Sequence, residues 1–123
     1  MGATILLVDD DETIRDFLTE FLTLEGFLIV TAINGKEAMK VLSKQKIDLL
    51  ITDLKMPEMD GLELSIKIKT DYPSLKVLGI SGDDNPNEPD DFHELSRSFF
   101  DEFLLKPLDC KEILENINKL LLQ

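Results

Sequence analysis

The chain has 123 residues, with 25 Asp and Glu against 13 Lys and Arg, so its net charge is −12. This length suits one domain with its own core, and 43% hydrophobic with 31% charged residues is typical of a soluble globular protein. The negative charge would repel nucleic acid and anionic lipid, so we expect neither nucleic acid nor a membrane as a direct partner. The single cysteine, Cys110, cannot form an internal disulfide, and we expect no signal peptide and a cytoplasmic location.

Strand-like and helical patterns alternate along the whole chain. The strand-like runs are mostly continuously apolar, which is typical of parallel strands covered on both faces. They are Thr4–Val8, Phe27–Thr31, Asp48–Thr52, Lys76–Ile80 and Phe103–Leu105.

Five helices are predicted after these strands. The first follows a candidate N-cap at Asp11 and is expected to stop at Gly26. The second follows a turn at Asn34–Gly35, and the third opens after Asp60–Gly61. The fifth has a capping-box-like start, with Asp109 as N-cap and Glu112 three residues later. The fourth, around residues 92–99, has the weakest pattern. Five strand–helix repeats predict an α/β fold, a doubly wound parallel sheet with helices on both faces.

Polar side chains stand at the carboxyl ends of the predicted strands. Asp9 and Asp10 follow the first strand, Asp53 the third, Ser81 the fourth and Lys106 the fifth. If the sheet is parallel, these ends converge at the edge where such folds bind ligands. Carboxylates at close range are costly without a cation, and oxygen ligands suit Mg²⁺ or Mn²⁺. With a lysine and a hydroxyl aimed at the same place, the set suits phosphoryl transfer, with Asp53 as nucleophile.

In this order, these residues resemble the receiver domain of a two-component response regulator. The matching segments are Asp9-Asp10, "DLLITDLKMPEMDGLEL" from residue 48, Ser81, and "FLLKP" from residue 103. The resemblance covers the whole chain and implies a flavodoxin-like doubly wound sandwich with a five-stranded parallel sheet in the order 2-1-3-4-5. It also implies a signalling module that takes a phosphoryl group from a sensor histidine kinase or phosphotransfer protein.

The resemblance implies a role for each residue of the metal and phosphoryl site. Asp53 would be the phosphorylation site. Asp10 and Asp53 would bind Mg²⁺ directly, Asp9 would act mostly through water, and the backbone carbonyl of Lys55 would complete the metal site. Lys106 would pair with the phosphoryl group.

Two further features follow from the same resemblance. The Lys106–Pro107 peptide bond would be cis, and Ser81 and Phe103 would be the switch pair. An output partner would then dock on the face made by the fourth helix, the fifth strand and the fifth helix.

The chain also departs from the family pattern. Phe99 and Phe100 stand where receivers usually carry small residues, often Gly-Ala, and we expect them to pack in the core. With Pro86 and Pro89 upstream, this pair leaves the length and angle of the fourth helix open. Phe103 replaces the usual Tyr, and Ser81 stands where Thr is commoner.

Two other functions are compatible with parts of the sequence. An aspartyl-phosphate hydrolase of the haloacid dehalogenase kind also uses Asp, Mg²⁺ and Lys, and Asp9 and Asp11 have the spacing of its aspartates. No cap domain follows, however. A flavodoxin-like FMN carrier would need a Ser/Thr-rich phosphate loop where this chain is acidic. Turnover of a phosphatase substrate would favour the hydrolase, and a yellow purified protein would favour the FMN carrier.

The chain ends at Gln123, directly after the last predicted helix. We therefore expect residues 1–123 to form a single receiver domain with no output domain. Such a chain either acts by docking or is a fragment of a longer regulator or hybrid kinase. It would catalyse its own phosphorylation and dephosphorylation without being a turnover enzyme.

Overall fold

The computed structural model describes residues 2–54, 61–81 and 100–123. Five parallel strands form one sheet in the order β2-β1-β3-β4-β5. The strands are β1 (Thr4–Val8), β2 (Leu28–Ala32), β3 (Leu49–Asp53), β4 (Lys76–Ser81) and β5 (Glu102–Leu105). The helices in the described ranges are α1 (Glu12–Leu24), α2 (Gly35–Lys44), α3 (Gly61–Asp71) and a C-terminal helix (Cys110–Leu121).

The predicted α/β class and strand order are confirmed, and the strand bounds differ from the prediction by at most one residue. Two of these differences affect the candidate site. Asp53 and Ser81 are the last residues of β3 and β4 rather than residues that follow them, because both still pair with the neighbouring strand, Asp53 with Ile80 and Ser81 with Leu105. The predicted fourth helix lies outside the described residues.

Apolar layers cover both faces of the sheet, which is why its strands read as continuous apolar runs. Successive residues of one strand point into opposite layers, as Leu6 and Leu7 do in β1. One layer is completed by α2 and α3, and the other by α1 and the C-terminal helix. None of the helices within the described ranges has the length and apolar character needed to cross a membrane.

The helix ends follow local side-chain chemistry. Asp11 accepts hydrogen bonds from the amides of the first turn of α1, and Asp109 does the same for the C-terminal helix, so both predicted N-caps are confirmed. Gly26 follows the C-cap of α1 with φ of 98°, a conformation that favours glycine. The predicted turn at Asn34–Gly35 is different in detail, because Asn34 is the N-cap of α2 and Gly35 its first residue.

Candidate functional site

Three aspartates meet at the carboxyl edge of the sheet. Asp9 and Asp10 follow β1, and Asp53 ends the adjacent strand β3. One carboxylate oxygen from each of the three lies within 4.8 Å of the other two. The parallel pairing of β1 with β3 places both strand ends at the same edge, so residues more than 40 positions apart in sequence share one pocket.

The three carboxylates differ in their environment. Asp9 is 1% exposed and Asp53 is 8% exposed, whereas Asp10 is open to solvent. Burial raises the pKa of Asp9 from its ordinary 3.8 to about 6, and the negative charge of Asp53 adds to this increase, while a hydrogen bond from the Asp11 amide opposes it. The buried Asp9 therefore carries a large electrostatic cost when it is ionised.

Lys106 brings a positive charge into the same pocket. Its Nζ lies 3.3 Å from Oδ2 of Asp53. Its backbone N–H donates to the carbonyl of Ser81 at 2.8 Å, and Ser81 itself is buried. The Lys106–Pro107 peptide bond is cis, as the resemblance implied. The lysine and the hydroxyl predicted to contact a phosphoryl group are therefore linked directly through their backbones.

The loop that carries Asp9 is held at several atoms. The Asp9 amide donates to the carbonyl of Ala32 at 3.1 Å, and Oδ1 of Asp9 accepts from the Asp11 amide at 2.9 Å. Its carbonyl accepts a hydrogen bond from Nη1 of Arg15 at 2.7 Å. Sequence reasoning missed Arg15, because its partner is a backbone atom that leaves no residue pattern. The only available signal was a cation early in the helix that follows an acidic run.

The remaining predicted residues are divided between described and undescribed parts of the chain. Phe103 lies half-buried on β5 next to Phe100, with ring centroids 5.6 Å apart. Phe100 is in the core, as expected. Lys55 and Phe99 lie outside the described residues.

The donor set fits a small divalent cation. It consists of three carboxylates, which are the hard oxygen ligands that Mg²⁺ and Mn²⁺ prefer. Two of them are buried, where a nearby cation offsets the cost of the ionised form. The same site places the ammonium group of Lys106 beside the Asp53 carboxylate.

Residues 5–118 match the response regulator receiver domain. The transcriptional regulatory protein GlrR of Escherichia coli (strain K12) is 37% identical over 121 residues, which are 98% of this chain and 27% of that protein. The chain thus spans little more than a quarter of that regulator. An uncharacterized 14.6 kDa protein of Leptolyngbya boryana is 35% identical over 115 residues, covering 94% of this chain and 87% of that protein.

Solved structures give the same result. The response regulator protein TrrA from Thermotoga maritima, in complex with Mg²⁺ and BeF, superposes with a TM-score of 0.84 at 34% identity, covering 98% of this chain and 99% of that one. A CheY-like receiver domain protein from Methanospirillum hungatei has a TM-score of 0.89 at 27% identity, covering 98% and 94%. With the family match over residues 5–118, these similarities show that the chain belongs to the response regulator receiver domain family.

Proposed function

We propose that this receiver domain accepts a phosphoryl group on Asp53 from a phosphohistidine of a sensor histidine kinase or phosphotransfer protein. The observation that carries the proposal is the 3.3 Å contact between Lys106 Nζ and Asp53 Oδ2, beside the carboxylates of Asp9 and Asp10. A carboxylate oxygen of Asp53 forms a bond to phosphorus while the P–N bond of the donor breaks, and its electron pair returns to the imidazole. Lys106 neutralises charge on the phosphoryl oxygens.

Asp9, Asp10 and Asp53 would hold Mg²⁺, or Mn²⁺ in its place, with the backbone carbonyl of Lys55 as a further predicted ligand. When bound, the metal neutralises negative charge on the transferring group. The burial of Asp9 and Asp53 supports this assignment, because a cation offsets the cost of two ionised buried carboxylates. The Mg²⁺–BeF complex of the Thermotoga relative supports it by analogy.

Intact-mass measurement after incubation with acetyl phosphate and Mg²⁺ tests the phosphoacceptor. The wild-type chain should gain the mass of one phosphoryl group, and EDTA should prevent this gain. Asp53→Asn should abolish it. Asp48→Asn is the matched control, because Asp48 lies just before the amino end of the same strand and accepts a hydrogen bond from the Thr4 amide that Asn can keep. Phosphorylation of Asp53→Asn at the wild-type rate would show that the nucleophile is another residue.

Ser81 is the proposed link from the phosphoryl group to the partner-binding surface. A shift of Ser81 toward a phosphoryl oxygen would move β5, because Ser81 pairs with Leu105 and accepts a hydrogen bond from the Lys106 amide. Phe103 on β5 would then turn inward and change the face that an output partner contacts, which β5 and the C-terminal helix share with the predicted fourth helix.

Backbone NMR shifts with beryllofluoride test this switch. Ser81→Ala should still be phosphorylated on Asp53, but its shifts over residues 95–110 should be smaller than those of the wild type. Equal shifts in the two proteins would contradict the switch while leaving the phosphoacceptor intact.

An apolar depression beside the pocket is the proposed contact site for the phosphohistidine donor. It has a volume of about 310 Å³ and is lined by Thr13, Ile14, Phe17, Lys106, Pro107 and Leu108. Phe17 is 44% exposed despite its size. Since Lys106 both lines this depression and contacts Asp53, a donor whose histidine reaches Asp53 would cover it.

The structure also bears on the two alternative functions. The side chain of Asp11 accepts hydrogen bonds from the first turn of α1, which accounts for the Asp9 and Asp11 spacing without a hydrolase site. The buried carboxylate of Asp9 at the end of β1 and that of Asp53 at the end of β3 disfavour an FMN phosphate. We propose that residues 1–123 act as one receiver domain in the cytoplasm and not as a turnover enzyme.

A further inference from the structure

Phe100 and Phe103 form a tilted aromatic pair directly over Gly79. Their ring centroids are 5.6 Å apart, with an interplanar angle of 59°. A Cβ at Gly79 would lie 2.9 Å from Cδ1 of Phe100 and 2.9 Å from Cδ2 of Phe103. An alanine at this position would therefore displace at least one of the rings. The glycine on β4 provides the space that the pair needs.

The two rings differ in how firmly they are held. Phe100 is 8% exposed, and the next residue, Asp101, is anchored to two elements. Its amide donates to the Val77 carbonyl at 2.9 Å, and its Oδ2 accepts from the Val77 amide at 2.8 Å and from Lys69 Nζ at 2.9 Å. Phe103 is half-buried and lies on the edge strand β5. Phe100 is thus the more buried ring, next to an anchored residue, and Phe103 is the more exposed ring of the pair.

We propose that Phe100 is a positioning residue that sets the resting orientation of Phe103. This inference rests on the proposed switching function of Ser81 and Phe103. Phe103 pairs with Gly79 across the ladder, and Ser81 lies two residues further along β4, so a ring that turns toward Ser81 gives up part of its contact with Phe100.

A phenylalanine ring has no hydroxyl group, so packing contacts, the one with Phe100 among them, hold it in place. An aromatic pair contributes beyond the area it buries, and its loss would shift a two-state equilibrium about two- to tenfold. Phe100→Leu should therefore raise the population of the turned Phe103 ring by this factor before any phosphorylation. By linkage, the same variant should bind beryllofluoride more tightly by a similar factor.

Fluorine NMR of the full chain with a fluorinated phenylalanine at position 103 tests the proposal in metal-free, unphosphorylated protein. Phe100→Leu should move the relative intensities of the Phe103 signals toward the pattern that the wild type shows with Mg²⁺ and beryllofluoride, which loss of the Phe100 ring current alone would not reproduce. Phe21→Leu is the control, because Phe21 packs against Phe17 on α1 and should leave the signal unchanged. An unchanged Phe103 signal in Phe100→Leu would overturn the proposal. This measurement does not require phosphorylation of Asp53, so a failure of phosphoryl acceptance would be seen separately in the mass experiment.

Gly79→Ala provides a second test, in which its effect on the free energy of unfolding is compared between the wild type and Phe100→Ala. It should destabilise the wild-type chain by crowding both rings, and the destabilisation should be smaller when it is combined with Phe100→Ala, which removes two of the three closest contacts and leaves the one with Phe103. An equal destabilisation in both backgrounds would show that the Phe100 ring does not pack against Gly79 in this way, and would overturn the proposal.

Discussion

The two edges of the sheet carry similar residue types in very different settings. At the amino edge, a cavity of about 670 Å³ is lined by residues 42–48 and 71–75, with Lys44, Lys46, Asp48 and Asp71 among them. At the carboxyl edge, three aspartates and Lys106 share a pocket. Both edges therefore offer carboxylates and ammonium groups within a short distance of one sheet.

The two edges differ in how deeply their carboxylates are buried and in how closely these carboxylates approach one another. Asp48 is exposed, and its carboxylate accepts a hydrogen bond from the Thr4 amide at 2.8 Å. Asp9 and Asp53 are buried against each other at the other edge, where charge is costly. Cavity size alone would point to the amino edge, but buried titratable groups held together are the better sign of chemistry. Matched variants at the two edges test this comparison directly.

The largest expected effect is on phosphorylation by acetyl phosphate. Lys106→Met should lower the rate of Asp53 phosphorylation by about 100-fold or more, because it removes the positive charge beside the proposed nucleophile. Lys44→Met removes the same charge at the amino edge and should leave the rate unchanged. Time-resolved intact-mass measurement compares the two variants. Similar rates for both would mean that the edges do not differ in the way proposed.

The second effect is a pH-dependent change in stability of the metal-free chain. The pKa of Asp9 is raised to about 6 in the folded state, so the folded chain binds this proton more tightly than the unfolded chain does. The stabilisation that results is complete below about pH 4 and is lost as the pH rises through 6. The loss is on the order of 3 kcal/mol at most. Asp9→Asn keeps an acceptor for the Asp11 amide without the charge, so it should be more stable than the wild type near pH 8 and similar near pH 4.

Urea denaturation in EDTA measures these free energies of unfolding. Asp48→Asn is the control at the amino edge and should show no comparable gain, because the Asp48 carboxylate is exposed. A wild-type chain that becomes more stable between pH 4 and pH 8, relative to Asp9→Asn, would contradict the assigned burial cost.

A smaller effect is expected on metal affinity. Asp10→Asn should weaken Mg²⁺ binding by about tenfold or more, because it removes one of the three proposed carboxylate ligands. Asp71→Asn at the amino edge should leave it unchanged. Metal-free Asp10→Asn should differ from the wild type by no more than about 0.5 kcal/mol, since Asp10 is exposed. Titration calorimetry gives the affinities, and an unchanged affinity for Asp10→Asn would remove Asp10 from the metal site.

The smallest effect is expected on recognition of the donor. Phe17→Ala should slow transfer from a histidine-phosphorylated donor several-fold, while leaving phosphorylation by acetyl phosphate unchanged. Leu122→Ala is the control, because Leu122 is also an exposed apolar residue but follows the C-terminal helix, away from this depression. An equal slowing with both phosphodonors would place the effect of Phe17 in the pocket rather than in docking.

The sequence by itself determined the features that depend on residues close together in the chain. Apolar runs predicted the described strands to within one residue at each end. Asp11 and Asp109 were recognisable as N-caps because the side chain of a cap accepts hydrogen bonds from amides two or three residues away. The acidic residues at the strand ends were visible as well, and a parallel sheet was enough to predict their meeting. The strand order, however, came from family resemblance rather than from any local pattern.

Only the tertiary structure decided how the site is held and how its charges are balanced. The burial of Asp9 depends on the packing around the end of β1, and the contact of Arg15 with the Asp9 carbonyl depends on where α1 lies. The space at Gly79 has meaning only once Phe100 and Phe103 are placed over it. These contacts involve backbone atoms, ring faces and residues distant in sequence, and such partners become neighbours only when the chain has folded.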